Sequence, residues 1–213
     1  MKLLTFLLSL LSLTALAQAD FEKSLQKRLI LAEDGATIEI EAGRFQLTKS
    51  LSLEGKKNIT LRGKGIDKTI LSFKGQTQGA EGIRVSNCEN IVIEDMTTED
   101  SKGDLIKTMQ VKGITFRRLK AAWTGGPKST NGSYALYPVL CENVLIDSCI
   151  AIGASDAGIY VGQSKNIIVR NSEAYENVAG IEIENSLYAD VYNNKAIGNT
   201  GGILVFDLPD LVQ

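Results

Sequence analysis

Gly158-Ile-Tyr-Val-Gly-Gln-Ser-Lys-Asn166-Ile-Ile-Val-Arg-Asn-Ser-Glu-Ala-Tyr-Glu-Asn-Val-Ala-Gly180-Ile-Glu-Ile183 contains one full repeat of this chain and the start of the next. Its two signatures, Gly-Ile-x-Val and Asn-Ile-x-Val, recur on both sides. The first returns at Gly82-Ile-Arg-Val and Gly202-Ile-Leu-Val. The second returns as Asn58-Ile-Thr-Leu, Asn90-Ile-Val-Ile, Gly113-Ile-Thr-Phe, Asn143-Val-Leu-Ile and Tyr188-Ala-Asp-Val, with successive starts 32, 23, 30, 23 and 22 residues apart. A step near 22 residues, made of short alternating strands with no room for a long helix, predicts coils of strand and turn stacked on one another. The predicted fold is all-β, a right-handed parallel β-helix with a short N-terminal capping helix.

Aligned on the repeated Asn, the coils form columns. Ile83, Ile106, Leu136, Ile159, Ile181 and Ile203 make one inward apolar stack. Val85, Thr108, Pro138, Val161, Ile183 and Val205 make the next. Pro138 has no N–H for a ladder, so the sheet should bulge or skip a bond there. Ser155, Asn177 and Asn199 form a turn column. Their amides are expected to pair from coil to coil, and the turns to be left-handed. Cys88 and Cys141 share a column but lie two coils apart, roughly 9.6 Å at the ~4.8 Å strand spacing, beyond disulfide reach. Cys149 falls where Met96 and Leu119 fall and reads as a small buried hydrophobe.

The flanks complete the plan. Met1 to Ala19 reads as an export signal: Lys2, an apolar run from Leu3 to Leu16, and Ala17-Gln18-Ala19 as cleavage site. Residues 20–213 are then a parallel β-helix domain in the periplasm or outside the cell, with no membrane attachment after cleavage. Asp20 is placed as the cap of a helix carrying Phe21, Leu25 and Leu29 on one face and ending at Asp34-Gly35, over the open edge of the first coil. Leu208-Pro-Asp-Leu-Val-Gln213 shows no polar terminal cap. The expectation is that the protein continues past its C-terminal coil, or that a protein partner covers that coil.

Charge and composition narrow the chemistry. Net charge is −2 and there is no histidine. No clustered Lys/Arg footprint points to nucleic acid, and the usual imidazole base and metal ligand are missing. No spaced Asp set suggests calcium. Neither a cofactor nor a metal is expected. The two long repeats place insertions at one corner, roughly Lys74 to Glu81 and within Ala121 to Ser133, and insertions of this kind often form a binding face.

The residues singled out for ligand binding are the outward column Arg84, Lys107, Tyr137, Tyr160 and Glu182, with Leu204 after them. Trp123 is expected as a wall beside that column, and Asp156 either as a ligand contact or as the closure of its own turn. Such a strip suits an acidic sugar chain: Arg pairs a carboxylate and Tyr stacks on a ring. Asp104, Lys128 and Asn131 are secondary candidates. Asp190, Asn193 and Asn194 read as turn and ladder residues.

With these coils, the chain resembles the exported right-handed parallel β-helix proteins of the pectin-lyase-like superfamily over roughly residues 21–213. Trp123-Thr-Gly-Gly-Pro, Gly153-Ala-Ser-Asp-Ala-Gly-Ile-Tyr-Val-Gly and Gly201-Gly-Ile-Leu-Val-Phe-Asp-Leu-Pro look like a bacterial subgroup of unassigned activity. The superfamily includes lyases, hydrolases and mannuronan epimerases. Tyr134-Ala-Leu-Tyr137-Pro138-Val139 is similar in outline to the epimerase motif Tyr-Gly-Phe-Asp-Pro-His, but Tyr137 replaces the Asp and Val139 the His. No catalytic residue is carried over. Two functions follow as expectations. One is an exported scaffold binding acidic polysaccharide. The other is a carbohydrate-active lyase or epimerase on uronates, with Arg84 neutralising the carboxylate and Lys107 or Tyr137 as base. That base would need a pKa depressed by neighbouring cations.

Overall fold

The computed structural model describes residues 20–211. The predicted export signal therefore lies outside the described residues. Among these, nineteen short strands wind into an all-β right-handed helix of about seven turns. Two sheets collect them, one of seven strands and one of twelve. The twelve-stranded sheet folds around a corner, because strands Glu89–Glu99 and Lys112–Ala122 each run through it and pair on both sides. The coil therefore has three faces. All pairings are parallel, and a parallel connection in one sheet is right-handed almost without exception.

Register bears out the columns. Leu51, Ile83, Ile106, Leu136, Ile159, Ile181 and Ile203 are successive partners along the seven-stranded sheet. Those from Leu51 to Ile181 are fully buried, each such side chain contributing about 2 kcal/mol by leaving water. Pro138 acts as its chemistry requires. Between strands Tyr134–Val139 and Ala157–Gly162 the ladder pairs Leu136 with Ile159 and resumes at Val139 with Gly162, without a shift. The sheet skips a bond and does not bulge.

The corners need left-handed backbone, and they obtain it at other positions than expected. Ser155, Asn177 and Asn199 have ordinary negative φ. The left-handed residues are the repeated Asn58, Asn90, Asn143 and Asn166, with Tyr188 and Gly113 in the same column. A second column, Asn87, Gln110, Leu140, Gln163 and Asn185, stands three residues earlier at the same corner, and a third, Asp95, Arg118, Ser148, Asn171 and Asn193, turns the next. Asn tolerates this conformation because its short side chain bonds locally. Here it also bonds across coils: Asn90 Nδ2 donates to Asn58 Oδ1 at 3.0 Å, and Asn166 Nδ2 to Asn143 Oδ1 at 3.1 Å.

Amide pairing holds at the inner turn. Asn177 Nδ2 donates to Asn199 Oδ1 at 2.9 Å and to the Ala151 carbonyl at 3.3 Å, while its Oδ1 accepts from the Ala154 N–H at 2.8 Å. The cysteines are free and buried. Cys149, fully buried, has its thiol pushed up to about 12 by desolvation.

Residues 20–31 are helical. Asp20 is itself in the helix, so it does not cap it. Leu25 and Leu29 point into the core, and Phe21 stacks on Phe45 with ring centroids 3.7 Å apart. The helix closes the edge of strand Lys49–Glu54 by hydrogen bonding. Gln26 donates to the Ser52 carbonyl and accepts from the Ser52 N–H, both at 2.9 Å. At the other end of the described stack, Ile203 and Val205 continue the inward columns but are 46% and 72% exposed.

Asn177→Ala is expected to destabilise the protein by about 2 kcal/mol, because the buried Ala154 N–H loses its partner. Urea unfolding followed by circular dichroism measures this. Asn166→Ala, on an exposed ladder, should cost less than half as much.

Candidate functional site

Two outer faces carry charge, and they differ. On the twelve-stranded sheet, one outward column reads Glu39, Arg62, Glu94, Arg117, Asp147, Arg170 and Tyr192 in register. Acid and base alternate, and the column neutralises itself. Arg62 pairs with Glu94 at 2.6 Å and Glu39 at 3.4 Å, Arg117 reaches Glu94 at 3.7 Å, and Arg170 meets Asp147 at 2.8 Å.

On the seven-stranded sheet the outward column does not alternate. Ser52, Arg84, Lys107 and Tyr137 follow one another in register. Beyond the skipped bond the column resumes with Tyr160, Glu182 and Leu204. The expected strip therefore exists as one row. Arg84 is exposed, with no ion pair among the described residues. Lys107 lies beside Asp104 at 3.8 Å, and its Nζ sits 4.6 Å from the centre of the Tyr137 ring.

Three phenols converge at the middle of this face. Ring centroids are 4.5 Å apart for Tyr134–Tyr137, 4.4 Å for Tyr134–Tyr160 and 5.0 Å for Tyr137–Tyr160, the last pair edge to face. Such spacing is in the range of favourable aromatic contact. Gly162 makes the cluster possible. A Cβ built on it would lie 2.5 Å from Tyr160 Cε1 and 2.6 Å from its hydroxyl oxygen. The Tyr160 ring thus lies flat along its own strand, over the bare backbone of Gly162. Gly162 pairs with Glu184 on the next strand, which brings the Tyr160 hydroxyl near the Glu184 carboxyl.

Acid groups surround the rings. Asp156, only partly buried, stands near the Tyr134 hydroxyl. Its N–H donates to the Ser133 carbonyl of the preceding coil at 3.2 Å, so it joins two coils and does not close its own turn. Glu182 is 7% exposed and Glu184 is 6% exposed, on the same side of one strand, so their carboxyls are neighbours. Asp104 accepts from the Tyr134 N–H at 3.2 Å.

Burial, then the charges of Asp156 and Glu184, push Glu182 up to about 7. Burial also raises Asp104. All three phenols are raised, first by burial and then by the carboxyls around them. For Tyr137 this is the opposite of what a base requires. Its acidic neighbours are Asp104 and Glu184, and they hold it protonated.

Trp123 is not part of this group. It is 5% exposed and joins the main core, because its indole N–H has a buried partner, the Ser101 carbonyl at 3.0 Å. The expected wall is supplied by Tyr134 instead. Tyr134, Gly162 and Glu184 were not singled out from the sequence. Tyr134 and Glu184 carry a signal there, an offset of two or three residues from Tyr137 and Glu182. Both insertions rest on the loop 100–104 between them: the Gly103 N–H donates to the Ala80 carbonyl at 2.7 Å and the Lys102 N–H to Gln76 Oε1 at 3.0 Å in the first, and Trp123 of the second donates to the Ser101 carbonyl. Asn131 braces the second insertion through the Gly126 and Gly153 carbonyls. Among the described residues no group of three acidic, His or Cys side chains is arranged to hold a metal.

The right-handed β-helix region model matches residues 49–210, and the chain belongs to that family. No curated protein matches it in sequence. Among solved structures it is similar to an α-1,3-glucanase catalytic domain in complex with tetrasaccharides, with TM-score 0.52 and 14% identity, covering 80% of this chain and 34% of that one. A pectin methylesterase with a bound hexasaccharide gives 0.46 and 11%, covering 87% and 62%. The Azotobacter vinelandii mannuronan C-5 epimerase AlgE4 A-module gives 0.45 and 13%, covering 81% and 72%. The likeness is one of fold, and this chain spans about a third of the glucanase domain.

Glu182 should titrate near pH 7 by carboxyl-carbon NMR. Glu184→Gln removes a like charge and should lower that midpoint. A carboxyl whose folded pKa exceeds its unfolded one stabilises the fold at low pH. Glu182 should therefore contribute stability below pH 4.5, the ordinary value for such a carboxyl, that is lost as pH rises through about 7. A wild-type melting profile losing more stability across that window than Glu182→Gln checks the sign.

Proposed function

We propose that the protein binds a carbohydrate chain along the outer face of its seven-stranded sheet. The observation that carries this is the convergence of Tyr134, Tyr137 and Tyr160 into one cluster, held protonated and flanked by carboxyls. Aromatic faces stack on the apolar faces of sugar rings, and fixed acceptors and donors beside them set orientation. A solved protein sharing the coil architecture, the α-1,3-glucanase domain, is in complex with tetrasaccharides, which agrees with a carbohydrate role.

The polyuronate expected from sequence is served at one end only. Arg84 and Lys107 can meet a carboxylate there, while Asp104, Asp156, Glu182 and Glu184 line the rest and repel one. Any acidic sugar in the bound chain thus belongs at the Arg84–Lys107 end.

One observation favours a second reading, a carbohydrate-active enzyme. Glu182 near 7 lies in the range of a general acid or base. Release of reducing ends or unsaturated sugar by the wild type, lost in Glu182→Gln, would establish it. Proton abstraction by Tyr137 is set aside, because its phenol is shifted the wrong way.

A panel of neutral, uronate and amino oligosaccharides, titrated by calorimetry, tests the binding reading. Tyr134→Ala and Tyr137→Ala, at the two partly exposed rings, should each weaken the bound glycan by roughly 1–2 kcal/mol, about tenfold. Trp123→Phe should leave affinity unchanged. If no oligosaccharide binds the wild type, the proposal fails.

A further inference from the structure

We propose that the corner carrying the two insertions is a second binding site, for a tetrahedral oxyanion: sulfate or phosphate, free or as an ester. The site shares no residue with the tyrosine face and does not rest on the glycan reading above.

The sequence marks this corner by its two long repeats, and the tyrosine face leaves it unused. A pocket of about 270 Å³ opens there, below the ~300–1,000 Å³ of clefts that take drug-sized ligands. The first insertion contributes Lys74 to the lining and the second contributes Lys128. Neither lysine forms an ion pair among the described residues. Lysines on the coil ladders contrast with them. Lys57, Lys165 and Lys195 each meet a carboxylate of an adjacent coil, at 3.1, 3.3 and 2.9 Å. Lys128 is also folded back over its own loop, since a Cβ built on Gly125 would lie 3.0 Å from its Nζ. The lining holds one carboxylate, Asp100, and it is already engaged. It accepts from the Thr124 N–H at 2.7 Å and from the Thr124 hydroxyl at 2.6 Å.

The loop that carries Lys128 is braced, and donors remain on it. Trp123, buried in the lining, fixes one end through its indole N–H on the Ser101 carbonyl at 3.0 Å. Asn131 fixes the other, its Nδ2 donating to the Gly126 carbonyl at 3.0 Å and to the Gly153 carbonyl at 2.7 Å. Between these anchors, the Thr130 hydroxyl and the N–H groups of Gly125 and Thr130 donate to no acceptor among the described residues. Ammonium, hydroxyl and amide donors around a small concavity favour an anion. The donor types narrow its shape. No arginine lines the pocket, so there is no planar fork to match a carboxylate. Two lysines from separate insertions act as point charges, the way lysine binds phosphate. A tetrahedral oxyanion accepts from several directions at once, whereas a carboxylate presents both oxygens in one plane.

The probes are inorganic sulfate, inorganic phosphate and a glucose sulfate ester, with acetate as the planar control. Each is titrated at about pH 7, where sulfate and phosphate are both anions, at an ionic strength held constant with chloride. Backbone amide NMR shifts report binding. Sulfate and phosphate should give saturable shifts confined to Lys74, Asp100, Ser101 and residues 123–131, and should bind at least about fivefold tighter than acetate. Lys74→Ala and Lys128→Ala should each weaken sulfate by about fivefold or more, and the double variant should show no saturation. Lys102→Ala removes a lysine beside the pocket but outside its lining, and should leave affinity unchanged. All three lysines are exposed, and circular dichroism checks that the variants keep the fold. An ester that binds tighter than sulfate places the group on a sugar; one that binds equally or more weakly makes the free ion the ligand. Absence of saturable shifts with both oxyanions overturns the inference. So does acetate matching sulfate, or sulfate binding that survives loss of both lysines. None of these outcomes touches the tyrosine face, so the glycan reading stands or falls on its own titration.

Discussion

Everything in this molecule depends on the parallel backbone ladder that sets residues about 22 apart directly above one another. Once Ile159 pairs with Ile181, each coil inherits the orientation of its neighbour, and side chains stack in columns some 4.8 Å apart. The inward columns bury Ile, Leu and Val and stabilise the stack. The outward ones turn sequence into a linear arrangement of chemistry. Mutual constraint also explains the corners. Asn58, Asn90, Asn143 and Asn166 hold a left-handed backbone that only a short polar side chain accepts readily, and their amides reach the adjacent coil. Gly113 interrupts that ladder, since a Cβ there would meet Asn90 Oδ1 at 2.6 Å.

The columns were legible because period and register are the same quantity in a solenoid. Strand position, face and vertical neighbour all follow from a count of residues. Hence the strip from Arg84 to Glu182 could be written down before any coordinates. What a count does not give is where a side chain leans along its strand. Tyr160 could have stood upright; it lies over Gly162 because that position has no side chain, and this brings its hydroxyl to Glu184. Trp123 shows the same limit from the other side. A lone Trp in an inserted loop reads as exposed, yet its indole has a carbonyl partner in the neighbouring corner at Ser101, so burial costs it no hydrogen bond. The turn column at Asn177 was read correctly for pairing and incorrectly for conformation. Two kinds of Asn ladder coexist here, one left-handed and outer, one ordinary and inner.

The hexapeptide Tyr134-Ala-Leu-Tyr137-Pro138-Val139 takes on a different meaning in three dimensions. Its likeness to an epimerase motif drew notice to substituted positions, Tyr137 and Val139. In the structure Tyr134 and Tyr137 are two thirds of the aromatic cluster, and Pro138 is where the ladder skips a bond. A missing bond between Tyr137 and Tyr160 leaves their strands joined on either side only. The site is thus built on a rung where the ladder skips a bond, a place where side chains have latitude to meet across coils.

Comparison of the two outer faces explains why only one is a candidate site. Where Glu39, Arg62, Glu94, Arg117, Asp147 and Arg170 alternate, most charges find an opposite charge one coil away. Even the buried Glu94 is satisfied by Arg62, Arg117 and Arg118. That face resembles a finished electrostatic ledger and offers little to a ligand. On the seven-stranded sheet the sequence of types is cation, cation, phenol, phenol, acid, so like follows like. Opposites are separated by two aromatic coils and cannot neutralise each other at ~4.8 Å per step. Desolvation then does what pairing does not: it raises Glu182 and all three phenols toward their uncharged forms. A face kept neutral by burial, and not by partners, gains more from a complementary ligand than one already balanced, and this asymmetry between two similar sheets locates recognition on the tyrosine side.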